Sequence, residues 1–120
     1  MGGYDLESED KAMKQFLWHV TPEENVKSIL RHGLKRKGFA VHCSENPESW
    51  WTPEMAIFKV RITGIKSEMT TFLPELDEIL IWGDVPPERL FQCKPTEVFS
   101  KKLYKELCRR YKYLTMGGQL

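Results

Sequence analysis

Three cysteines, Cys43, Cys93 and Cys108, are all that the 120-residue chain contains, and they stand far apart. No C-x-x-C pair occurs and no Cys/His group has zinc-ligand spacing, so neither a metal site nor a disulfide framework is expected. The thiols read as reduced and partly buried, in a reducing compartment. No run of about 18 apolar residues exists, so no membrane-spanning helix is expected, and the N-terminus lacks the apolar core of a signal peptide. The expected location is the cytoplasm. An excess of charge of one sign is also lacking: 18 Lys and Arg against 17 Asp and Glu leave a formal net charge of +1. No global field draws the chain to nucleic acid or to a membrane, and any basic surface must be local. P-loop, dinucleotide-binding glycine and metal-ligand helix motifs are absent as well.

What is present is an ordinary globular composition, 41% hydrophobic and 29% charged, at a length that predicts one domain with a small core. Residues 1–15 read as a flexible polar tail and residues 16–120 as the domain. Phe16–Val20 is an apolar run of strand length. Thr21, Pro22 and Glu24 then carry a helix-start signature: a hydroxyl cap, a proline at the first helical position and the acid of a capping box. Val26, Ile29 and Leu30 form one apolar stripe. Gly33 predicts a left-handed stop, after which Leu34 would fold back onto the helix.

Phe39–Ser44 alternates as a strand, and the residues from Ser44 to Trp51 can form one helical turn capped by Ser44 or Asn46. Met55–Ile62 is the clearest strand, with Ile57, Lys59 and Arg61 on one face and Ala56, Phe58, Val60 and Ile62 on the other. Residues 63–74 read as loop with at most a short strand. Asp77–Trp82 is a further strand, closed by Pro86-Pro87, which cannot donate to a ladder. A helix is predicted from near Ser100, with Leu103, Leu107 and Tyr111 as its stripe. Strands outnumber helices without βαβ alternation, which predicts an α+β domain with a largely antiparallel sheet.

Chemistry-bearing side chains fall in three short segments: His19-Val20-Thr21, then His42-Cys43-Ser44 followed by Trp50 and Trp51, then Asp77-Glu78. Singly each has a sufficient structural explanation: a satisfied histidine, a tryptophan pair in the core, an acid on the surface. In order, they resemble the ADP-ribosyltransferase superfamily, which cleaves NAD between nicotinamide and ribose. "LWHVTPEENVKSILRHGL" is similar to that family's opening strand ending in His-x-Thr, and its helix ending in Gly-Leu. "GFAVHCSENPESWW" looks like the second element, and "DEILIWGDVPPERLF" like the third, with its acid on a strand. The resemblance spans about Phe16 to Phe91.

That resemblance implies an ADP-ribosyltransferase-like split antiparallel β-sandwich with flanking helices. It implies NAD as substrate with no metal, and transfer of ADP-ribose to a macromolecule. His19 would bond the nicotinamide-side ribose, the Val20 backbone the nicotinamide amide, and Thr21 would neighbour the ribose. Trp51 would stack on nicotinamide, with Trp50 its rival. Ser44 would steady the acid or the nicotinamide, and Glu78 would be the catalytic acid. Val20 departs from the glycine many members carry, and Trp51 from their tyrosine. The alternatives are a non-catalytic module of the same fold that binds nucleic acid or a protein partner, and an RNA 2′-phosphotransferase-like activity. Two basic clusters bear on these: Arg31, His32, Lys35, Arg36 and Lys37, read either as a solvated helix end or as a phosphate rim, and the cations of the last helix, which would face nucleic acid.

Overall fold

The computed structural model describes residues 15–36, 38 and 40–115. The tail expected over residues 1–15 therefore lies outside the described residues except for Gln15, and so do Lys37 and Phe39. Among the described residues, six strands form two three-stranded sheets. One has the order β1-β3-β6 and the other β2-β5-β4, where β1 is Phe16–Pro22, β2 Val41–Cys43, β3 Met55–Arg61, β4 Thr70–Leu73, β5 Glu78–Ile81 and β6 Leu90–Cys93. Every pairing is antiparallel. The helices are α1 (Val26–His32), α2 (Pro95–Val98) and α3 (Lys101–Thr115). No helix among the described residues is long and apolar enough to cross a membrane.

β1 meets the residue that follows β2 at an isolated antiparallel bridge between Trp18 and Ser44, where each N–H donates to the other's carbonyl at 2.8 Å. Beyond it the two sheets part, and that divergence opens the cleft described below. β3 is the centre of its sheet; the face of Ala56, Phe58 and Val60 is apolar throughout, and the other is buried at Ile57, where it is covered. Ala56, Phe58 and Val60 pack with Leu17, Val41 and Ile81 between the sheets. Ile57 packs on the opposite side against Trp51, Phe99 and Leu107, under α3. The alternation read from the sequence is preserved, and Lys59, on the Ile57 face, lies over the rings of Phe16 (5.0 Å) and Trp18 (5.6 Å).

The helix start expected at Thr21 is not there. Thr21 stays in β1, 6% exposed, opposite Ala56 in the register. Pairing of Pro22 with Met55 holds the proline extended (ψ 140°), so strand pairing overrides the local cap signal. A 3₁₀ turn over Glu23–Asn25 follows, and α1 begins only at Val26 with no side-chain cap. Thr21 instead accepts a hydrogen bond from Asn25 Nδ2 at 3.0 Å. Of the expected stripe, Ile29 is buried and Val26 half-buried, while Leu30 is 50% exposed. The stop at Gly33 is present with φ 80°, although ψ is −172° and so not that of a left-handed helix. Leu34 then pairs with Val85 through two 2.8 Å backbone bonds, just before the diproline ends the ladder.

The short strand allowed for residues 63–74 is β4. β6 and α2 are additions that the sequence did not announce. α3 starts where expected, with Ser100 Oγ accepting from the N–H of Leu103 at 3.1 Å, which satisfies an otherwise orphaned donor.

Candidate functional site

A cleft of about 170 Å³ lies where the sheets diverge, lined by Trp18, His19, Val20, His42, Cys43, Ser44, Trp50 and Glu78. Four of the six residues expected at the site are among them: His19, Val20, Ser44 and Glu78. Three strands and one loop supply the lining, so rigid elements fix most of its geometry.

β1 provides one wall. Because the N–H and C=O of Trp18 face β2, the same groups of Val20, two residues on, also face that side. There the ladder has ended, so a donor and an acceptor from the Val20 main chain point into the opening. His19 presents Nδ1 to the carbonyl oxygen of His42 at 2.7 Å. A carbonyl only accepts, so Nδ1 carries the hydrogen of that bond.

β2 and β5 provide the opposite wall. His42 Nδ1 lies 3.1 Å from Glu78 Oε2, with side-chain exposures of 50% for His42 and 18% for Glu78. The histidine thus stands at the mouth and the carboxylate deeper in. His42 links the two walls, since its carbonyl receives His19 and its ring meets Glu78. It sits in the second of the three segments named above, yet nothing in the local sequence separated it from Ser44 as the more consequential residue. The sign that would have done so is alternation: with Val41 and Cys43 buried, the residue between them must point the other way. The Cys43 thiol is buried within the core, and burial alone pushes it up to about 12, so it contributes no thiolate at neutral pH.

The loop after β2 carries Trp50. A 3₁₀ turn spans Pro47–Ser49, and the hydroxyl of Ser44 accepts from the N–H of Asn46 at 2.9 Å. Ser44 is therefore 3% exposed and engaged in shaping this loop, and the side chain bonded to Glu78 is His42. Asp77 ties the same loop to β5. Its carboxylate accepts from Asn46 Nδ2 and from Ser49 Oγ, each at 2.8 Å. These two bonds, that from Asn46 first, hold the Asp77 carboxyl below the usual carboxylate range. Asp77 is also the one non-glycine residue with positive φ among those described (φ 53°, ψ 43°). That conformation carries a cost for a residue with a Cβ, at the position immediately before Glu78.

Two expected site residues lie elsewhere. Trp51 is 5% exposed; its ring packs on Phe99 and Tyr104 at centroid distances of 5.4 and 5.7 Å, and its Nε1 donates to the Met55 carbonyl at 3.1 Å. It is a core residue under α3, and of the two adjacent tryptophans the one at the cleft is Trp50, 42% exposed. Thr21 is committed to β1 and to Asn25, and it does not line the cleft. The first basic cluster is partly engaged: Asp84 accepts from the Arg36 N–H at 2.9 Å and lies 3.8 Å from Lys35 Nζ. The Arg36 bond above all, with Lys35 beside it, keeps the Asp84 carboxyl low. On α3, Lys101, Lys105, Arg109 and Lys112 recur along one exposed face.

Neither any family model nor any curated protein matches the sequence.

Proposed function

We propose that this cleft receives the nicotinamide end of NAD and that the protein is an ADP-ribosyltransferase-like enzyme, with the split antiparallel sandwich such an enzyme has. The observation that carries the reading is convergence. His19 and the Val20 main chain from β1, Ser44 just after β2, and Glu78 from β5 meet around one opening. The paired donor and acceptor of Val20 match a carboxamide, which offers the complementary acceptor and donor. Trp50 supplies an aromatic face for the ring. A volume of about 170 Å³ is below the roughly 300–1,000 Å³ of sites that enclose a drug-sized ligand. It suits one ring and its sugar, leaving the adenylate outside.

Cleavage of the glycosidic bond builds positive charge on the ribose. Glu78, largely shielded from water, offers a fixed negative charge where that charge develops, and a preorganised carboxylate of this kind stabilises the transition state more than the ground state. The free thiols Cys43, Cys93 and Cys108 suit a reducing, cytoplasmic setting. In the test, NAD raises the melting temperature of the wild-type chain, and Glu78→Gln abolishes release of nicotinamide without changing the melting temperature of the free protein. Wild-type turnover by Glu78→Gln would refute the mechanism.

A second reading is a module of the same fold that binds nucleic acid without catalysis. The basic face of α3 favours it, because the apolar face of that helix is spent on the core and its cations have no ion-pair partner among the described residues. Binding of labelled RNA or DNA that weakens steeply with salt, with no response to NAD, would establish this reading over the first. A 2′-phosphotransferase draws less support, since Asp84 lies 3.8 Å from Lys35 Nζ and takes up the main-chain N–H of Arg36, which sets a negative charge within that basic cluster.

A further inference from the structure

We propose that His42 is the general base that activates the acceptor, oriented for that role by Glu78. This inference rests on the NAD reading above. The carboxylate accepts from His42 Nδ1 at 3.1 Å, which leaves Nε2 of the neutral ring as the nitrogen with a lone pair. The backbone that carries the ring is fixed on both sides. The His42 carbonyl receives His19 at 2.7 Å, and β2 is paired with β5 in the register His42↔Leu80. The carboxylate has two oxygens and two tasks: Oε2 holds the imidazole, and Oε1 remains for the ribose. With half of the His42 side chain exposed and only 18% of Glu78, an acceptor approaching from solvent meets the imidazole first and the reacting carbon beyond it.

The step balances. The C1′–N bond breaks, and its electron pair passes to the pyridine ring, so nicotinamide leaves neutral. A lone pair of the acceptor oxygen forms the new C1′–O bond. The proton of that oxygen passes to His42 Nε2 and then to water. Such a base serves an acceptor that arrives protonated, which is a hydroxyl group or water. A carboxylate acceptor arrives ionised and needs none. The acceptor class assigned by the dyad is therefore a hydroxyl, with water as the acceptor in basal hydrolysis.

The test uses the full chain with NAD. His42→Ala is expected to keep the NAD-induced rise in melting temperature and the KM for NAD, while kcat for nicotinamide release falls about 10²- to 10⁴-fold, the usual contribution of a positioned base. Free imidazole should restore part of that loss, which it would not do for a residue that only supports the fold. Independently of activity, ¹⁵N NMR of the neutral His42 ring should report the Nδ1–H tautomer in the wild type and a shift toward Nε2–H in Glu78→Ala. Wild-type kcat in His42→Ala, or a loss that imidazole leaves untouched, overturns the assignment of His42 while the NAD reading stands. A wild-type chain that neither binds nor cleaves NAD overturns both.

Discussion

The ring of His19 takes the place of a ladder bond to His42. Trp18 and Ser44 exchange backbone bonds at 2.8 Å, and in a continuing antiparallel ladder the next bonded pair would be Val20 with His42. Instead, Nδ1 of His19 reaches the His42 carbonyl at 2.7 Å. The side chain closes the gap between the sheets without drawing them together, and the Val20 main chain is left facing the cleft. His19→Ala should therefore have two effects. Loss of one hydrogen bond should cost about 1 kcal/mol of stability, measured by urea unfolding. The cleft should also lose its shape, with NAD affinity falling at least about tenfold, or ~1.4 kcal/mol, by calorimetry. Unchanged affinity would reduce His19 to a structural tie.

The adjacent tryptophans should separate cleanly on mutation. Trp51→Ala removes a ring packed under α3 and should cost about 3–5 kcal/mol, the range for large aromatics in cores. Trp50, 42% exposed, should cost about 0.5 kcal/mol or less on truncation, as surface substitutions do. Trp50→Ala should nonetheless weaken NAD binding, since it removes an exposed aromatic face at the cleft. Thermal unfolding and calorimetry on both variants decide it: a Trp51→Ala protein of wild-type stability, or a Trp50→Ala protein of wild-type affinity, contradicts the placement.

Gly33 is constrained twice. Its φ is 80°, and a Cβ there would lie 2.1 Å from the Val85 carbonyl oxygen, the atom that accepts from Leu34. The backbone conformation alone should make Gly33→Ala destabilising by more than about 1 kcal/mol, and the collision adds to it, because neither backbone can yield without breaking the Leu34–Val85 bridge. Chemical denaturation measures the loss. A neutral substitution would mean that this bridge is dispensable.

How much of this was legible in the sequence depended on how local each cause was. Met55–Arg61 and the last helix were readable because period and cap lie within the segment, as with Ser100 and Leu103. Thr21 misled, because its cap signature is local whereas the Pro22–Met55 pairing that overrides it spans 33 positions. Trp51 misled for the same reason: which of two neighbouring indoles faces the core depends on α3, far along the chain. His42 was visible as a polar residue between two apolar ones. Its bond to Glu78 depends on strands 36 residues apart lying side by side, which no short window contains.

Asp77 offers the sharpest test of how the loop that carries Trp50 is held. Its carboxylate fastens Asn46 and Ser49, and its backbone is left-handed. Asp77→Gly relieves the backbone but removes the clamp, Asp77→Ala removes the clamp and keeps the strain, and Asp77→Asn keeps an acceptor oxygen and a residue that tolerates this conformation. The expected stability order is Asn above Gly above Ala, and NAD affinity should follow the clamp rather than stability, with Gly and Ala equally weak. The pH dependence has a definite sign. Bonds from Asn46 first, and then Ser49, lower the carboxyl pKa in the folded chain. The stabilisation is thus fully present above the unfolded value of about 3.9 and is lost as pH falls through the folded value. Trp50 fluorescence in the wild type should accordingly stay constant from neutral pH down to about pH 4 and change below it. The acid limb should vanish in Asp77→Asn, which has no proton to bind. A wild-type acid limb retained in that variant would show that another carboxylate holds the loop.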